Sequence, residues 1–182
     1  MAKKKTTLDD IKKLSTKIIN WGIEHDIDNI YSQFVKVVEE YTEILAADNT
    51  VFSVDADKKA IKKAQAERRD AIGDFYVATI ILLDLMGVDV NEKFWNDYIV
   101  IDESYRLSLD DLCLDLGDMA HYISHNEHDI NKLEDIANDM IINDLTFAEH
   151  CEEDFYECVK SAYNEIKNRK GKTIDGNFVK NQ

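Results

Sequence analysis

The chain contains no proline and only six glycines among its 182 residues. Average usage would place roughly nine prolines in this length. Polyproline segments and the proline-set turns that punctuate β-rich folds are therefore not on offer. Basic side chains are also scarce, 22 Lys and Arg against 37 Asp and Glu, for a net charge of −15. A partner held mainly by phosphate electrostatics is disfavoured by that imbalance, so no nucleic-acid polymer is expected. Long apolar runs are missing too. The longest, Phe75 to Leu83, lies between Asp74 and Asp84 and is too short to span a bilayer, so no membrane partner is expected. The three cysteines, Cys113, Cys151 and Cys158, are an odd number, and Lys3-Lys4-Lys5 leads into Thr6-Thr7-Leu8-Asp9-Asp10 without the apolar stretch of an export leader. Reduced thiols and a cytoplasmic location follow as the expectation. What remains is an apolar fraction of 45%, enough for a globular core.

Helical periodicity runs through most of the sequence, and the fold class it predicts is all-α, a single domain over residues 1–182. Leu8, Ile11, Leu14, Ile18 and Trp21 recur at steps of three and four over about Leu8 to Ile23. Asp28 is the candidate N-cap of a second helix, on which Ile30, Phe34, Val37, Val38, Tyr41, Ile44 and Leu45 make one apolar stripe. A break is expected around Asp48-Asn49-Thr50. The third helix, from about Asp57 to Met86, is charged and amphipathic at first and apolar all round from Phe75 to Leu83. Such a helix is buried on every side, and in a small protein a second subunit can supply one of those sides, so a homodimer or homotetramer is expected. Ser108-Leu109-Asp110-Asp111 reads as a capping box opening a helix to about Ser124. Ile130 to Ile141 marks the next helix, and Phe147, Cys151, Phe155, Val159, Ala162 and Ile166 the last.

The chemistry concentrates on the second and third helices. Glu39, Glu40 and Glu43 project away from the apolar stripe, with Lys36 among them. Carboxylates this close repel unless a cation or solvent separates them, and hard oxygen donors suit Mg²⁺ or Mn²⁺. About one residue in five is acidic, so such a triad arises by chance roughly once or twice in a chain of this length, and alone it decides little. Asp70-Ala71-Ile72-Gly73-Asp74 adds two acids one turn apart at the edge of the apolar stretch, where a carboxylate is costly unless it binds something. Gly73 costs helix stability but lets a neighbouring helix come close. Residues 159–182 reverse the charge, with Lys160, Lys167, Arg169, Lys170, Lys172 and Lys180 against Glu165 and Asp175, a net of +4 that leaves −19 for the rest. Beside a metal-binding carboxylate set, those cations suit the outer phosphates of a polyphosphate.

Trp21, then Gln33-x-x-Lys36-x-x-Glu39-Glu40-x-x-Glu43, then Ile72-Gly73-Asp74 before an apolar helix resemble the MazG-type all-α nucleoside triphosphate pyrophosphohydrolases. Ala162 to Lys172, with Asp175-Gly176-Asn177-Phe178-Val179-Lys180, is similar to the tails of the phage-borne members. The resemblance covers about residues 18–87 and 159–180. It implies a MazG-like helical bundle that binds Mg²⁺ and cleaves a (deoxy)nucleoside triphosphate between the α- and β-phosphates, in the host cytoplasm if phage-encoded. It also implies Glu39, Glu40, Glu43 and Asp74 as metal ligands. The family's acid three residues before Asp74 is Ala71 here; Asp70 is its nearest substitute, with Glu67 in reserve. One of the three glutamates would be the general base, with Lys36, Asn164, Lys167, Arg169, Lys170 and Lys172 on sugar or phosphates and Trp21 on the base.

Residues 88–158 are either a helical elaboration or a degenerate second half. Asp115-Leu116-Gly117-Asp118 echoes the Gly-Asp of the third helix, and His121 and His125 share a helical face with Asp118. Two rivals stay open. One is a non-catalytic acidic helical protein that captures a basic partner by imitating DNA's charge. The other keeps nucleotide binding without catalysis.

Overall fold

The computed structural model describes residues 8–90, 109–174 and 177–180. Six helices run through them: α1 (Leu8–Glu24), α2 (Ile30–Val51), α3 (Lys58–Leu85), α4 (Leu109–Ser124), α5 (Ile130–His150) and α6 (Phe155–Ile166). A two-stranded antiparallel hairpin follows, β1 (Gly171–Ile174) and β2 (Asn177–Lys180), with Gly171 opposite Lys180 and Ile174 opposite Asn177. The all-helical class holds, and the hairpin is an addition to it. Lys3–Lys5, Ser108 of the expected capping box and Asp175-Gly176 lie outside the described residues. No helix among those described is long and apolar enough to cross a membrane.

Asx residues set the helix starts. Asn29, Asp57, Asp129 and Asp154 each accept a hydrogen bond from a backbone N–H in the first turn of α2, α3, α5 and α6; such a cap contributes about 1 kcal/mol. Three connections are built alike, with a residue in the left-handed region closing the helix before the next cap: Asp26 (φ 51°), Asn126 (φ 50°) and Glu152 (φ 59°). These details correct three expected boundaries. The α2 cap is Asn29 rather than Asp28, because Asn29 is the residue within reach (3.0 Å) of the Ser32 N–H. The helix does not break at Asp48-Asn49-Thr50; the Thr50 hydroxyl donates back to the Ala46 carbonyl (3.0 Å) and α2 continues to Val51. Phe147 belongs to α5, not to the last helix, since the left-handed Glu152 and the Asp154 cap separate the two.

Helix α3 is the axis of the core. Every residue from Ala71 to Leu83 except Asp74 is buried, and α1, α2, α5 and α6 all pack on it. A single chain therefore covers the apolar stretch on its own, which removes the burial argument for a second subunit. Helix α4 pairs with α5 and touches α2. Polar pairs pin the packing in two places. The Tyr76 and Ser15 hydroxyls meet at 2.8 Å between α3 and α1. The Arg68 guanidinium, almost fully enclosed, donates to Asp48 at 2.7 Å between α3 and α2.

Gly73 faces α6 so closely that a Cβ there would overlap the Cys158 carbonyl oxygen and press on the Ala162 methyl. Gly117, on α4, has nothing within 4 Å of the same position. Gly73→Ala should therefore lower stability by about 1–3 kcal/mol through overpacking against backbone. Gly117→Ala should raise it by up to about 1 kcal/mol through helix propensity. Thermal unfolding of the two variants checks the opposite signs, at roughly 2–4 °C per kcal/mol for a chain of this size.

Candidate functional site

The buried residues of α2 are Gln33, Val37, Glu40, Tyr41, Ile44 and Ala47. Five of them, 33, 37, 40, 44 and 47, alternate steps of four and three, the spacing of a helix seam. The seam that meets α3 thus includes two polar residues, Gln33 and Glu40. This corrects the expectation that Glu40 points away from the packed face: it is only 4% exposed. The apolar stripe in the sequence is centred one step around the helix, because Phe34, Val38 and Leu45 are only half-buried. Gln33 answers its own burial by donating its amide N–H to the Ala78 carbonyl (2.8 Å).

A cavity of about 470 Å³ opens between these helices. Helix α2 contributes Tyr31, Gln33, Val35, Lys36, Glu39 and Glu40; α3 contributes Asp74, Val77, Ala78 and Ile81. Trp21 closes α1's end, Ile166 and Arg169 come from the end of α6 and beyond, and Phe178 comes from β2. One end is polar and charged, the other apolar and aromatic. The hairpin is fixed there by the Thr173 hydroxyl, which donates to the His25 carbonyl, and by the contact of Phe178 with Trp21 and His25 at 5.3 and 5.0 Å between ring centroids. His25 stacks on Trp21 (4.3 Å).

The charged end is short of positive charge. Asp74 is pushed up to about 7, first by burial, then by the neighbouring Glu40 and Asp70 carboxylates, against a smaller opposing pull from Arg169. Burial also raises Glu40, with Lys36 opposing. The Lys36 ammonium lies between the two glutamates, 2.6 Å from Glu40 and 3.1 Å from Glu39. Its desolvation is outweighed by those two carboxylates, which hold it above its ordinary value. Arg169 donates to Glu165 at 2.8 Å, and its Nε is buried with no partner among the described residues.

The sequence-predicted residues therefore divide. Trp21, Lys36, Glu39, Glu40, Asp74 and Arg169 line one cavity. Glu43 and Asp70 are exposed and do not line it, though Glu43 acts electrostatically on Glu40 and Asp70 on Asp74. Ala71, where an acid was expected, is 2% exposed in the core, and Glu67 is outside, paired with Lys63 at 2.7 Å. The expected cationic clamp is reduced to Arg169. Asn164, Lys167, Lys170 and Lys172 are exposed and do not line the cavity, since α6 ends at Ile166 and the tail turns away into β1. Lys167 instead bonds to Asn164 at 2.5 Å. Phe178, Gln33, Tyr31 and Val35 received no role from the sequence.

Glu39, Glu40 and Asp74 are hard oxygen donors around one undercompensated space, so their chemistry fits a divalent cation. Among the described residues no three His, Cys, Asp or Glu side chains converge closely enough to hold an ion as they stand. Lys36 fills the gap between the glutamates. The echo in α4 is built differently. Asp115 accepts from Asn143 at 2.5 Å and is pushed up to about 7 by burial, but Gly117 has no helix against it. His121 and His125 stack on each other at 4.0 Å, with Glu127 3.3 Å from His121.

Asp74 titrates at 3.8 ordinarily and near 7 in the fold, so folding favours its neutral form. The resulting cost is absent below the lower value, grows as pH rises between the two, and is constant above the higher. Asp74→Asn should therefore stabilise the ion-free protein by about 1–3 kcal/mol at mildly alkaline pH, a gain that fades toward about pH 4. Urea unfolding across that range measures it.

Comparison of the chain with protein-family models, with curated proteins and with solved structures gives no match.

Proposed function

We propose that this chain is a Mg²⁺-dependent nucleoside triphosphate pyrophosphohydrolase of the MazG-like kind, converting a (d)NTP to (d)NMP and pyrophosphate. One observation carries the reading: a single cavity has carboxylates from two helices at one end and an aromatic, apolar wall at the other. With a divalent ion held between the carboxylates and the phosphates, that polarity would suit a molecule with an anionic chain and a flat ring. Glu39, Glu40 and Asp74 would hold the ion, with Mn²⁺ as an acceptable substitute and Glu43 and Asp70 at the margin. The ion, when bound, supplies charge neutralisation and Lewis-acid polarisation of the phosphates.

The chain's own residues do the rest. Trp21, Val77, Ile81 and Phe178 exclude water from the base end. Arg169 offers planar donors to phosphate oxygens, a geometry Lys lacks. A glutamate carboxylate, Glu39 or Glu40, takes the proton of the water that attacks the α-phosphorus in line with the departing pyrophosphate oxygen. A homodimer or homotetramer working in the cytoplasm completes the proposal, and the exposed Tyr31 and Val35 beside the cavity mouth supply a face for a second copy.

The burial of Ala71 favours a second reading, a nucleotide-binding protein without hydrolysis, because no acid from that position can join the site. Incubation with each NTP and dNTP plus Mg²⁺ separates the two. Monophosphate and pyrophosphate in equal amounts support hydrolysis, and nucleotide binding without either product supports the second reading. Glu40→Gln and Asp74→Asn should each lower kcat at least about a hundredfold, with helical circular dichroism unchanged.

A further inference from the structure

Lys36 reaches two acids at once, one three residues along α2 and the other four. On an open helix surface such pairs contribute only a few tenths of a kcal/mol. Here one partner is the enclosed Glu40, and Lys36 lines the same cavity that Asp74 lines from the opposite helix. Arg169, the other cation lining that cavity, is engaged by Glu165, so it does not compete for Glu40.

We propose that Lys36 is an exchangeable internal counter-ion: it bridges Glu39 and Glu40 while no divalent ion is bound and leaves them when one enters. This rests on the metal-dependent reading of the site. An ammonium donates hydrogen bonds to the same carboxylate oxygens that a divalent cation must coordinate, so the two occupants exclude each other. The four-carbon stem lets Nζ leave by side-chain rotation alone. The freed ammonium stays within the cavity, at the charged end where the phosphates arrive. Binding of the ion is weakened by the fraction of time the lysine holds the site; a site free one-tenth of the time binds about tenfold more weakly than an open one.

Titration of nucleotide-free, full-length protein with MnCl₂, followed by calorimetry and by the electron paramagnetic resonance of free Mn²⁺, tests this. Lys36→Met should bind Mn²⁺ about tenfold more tightly than the unaltered chain, and Lys36→Arg, which keeps the charge, should not. A second measurement covers the case in which Lys36→Met fails to fold. In the unaltered protein, the NMR signal of the hydrogen-bonded Lys36 ammonium should shift or broaden as diamagnetic Mg²⁺ is added. Mn²⁺ affinity equal or weaker in Lys36→Met, or a Lys36 signal unmoved at saturating Mg²⁺, overturns the exchange while leaving the metal site standing. Absence of any divalent binding in all three proteins overturns the metal-dependent reading and the exchange with it.

Discussion

Helix α3 must be covered on every side from Ala71 to Leu83, and nearly everything else follows from how four neighbours achieve that. Burying a side chain of the size of Ile80 or Leu82 stabilises by roughly 1.5–3 kcal/mol, and α3 presents a continuous run of them. The covering works only if α6 can approach closely, which the missing Cβ of Gly73 permits. One residue further on, Asp74 stands at the only point in the run where the cover is incomplete. The same close packing that seals the core thus delivers a carboxylate to the floor of a cavity.

That cavity is held in a state that costs stability. Three acids from two helices share it with one lysine, and the arginine that borders it is partly committed to Glu165. Desolvation penalises Glu40 and Asp74, and the opposite charges present are too few to offset the penalty. A site of this kind is poorly designed for a resting protein and well suited to receiving positive charge from outside. Glu40 is central because it belongs to the packing seam of α2: removing it from water is part of folding, so its need for a partner is built into the helix–helix contact.

Much of this was legible in the sequence because it is local. The absence of proline, the steps of three and four, and the apolar run after Asp74 specify helices and the burial of α3. Gly73 beside Asp74 pointed to a close helix approach and an acid at its edge. The glutamate triad was visible, but its orientation was not. The stripe through Phe34, Val38 and Leu45 is as apolar as the true seam, and only α3's position decides which side of α2 is enclosed. The tail was misjudged for a related reason: a run of cations shows charge but not which member turns inward, and among the described residues of the tail Arg169 is the cation that lines the cavity. Phe178 stood within the tail resemblance, but nothing there assigned it a role. Asp175-Gly176 between β-branched and aromatic residues is a recognisable hairpin signature, but nothing in it names α1 as the surface the hairpin meets.

The attachment of that hairpin joins residues 148 positions apart, Thr173 to His25. Contacts so distant along the chain reward their formation late, after the entropy of closing the intervening loop has been lost. The helical seam of α2 and α3 is local and can assemble early, carrying its acids with it. The aromatic wall cannot. The charged end of the cavity can therefore form before its aromatic end, and the two are united only when the whole chain has reached its final arrangement. The closed cavity is a property of the completed fold, whereas the approach of Glu40 to Asp74 is a property of a single helix pair.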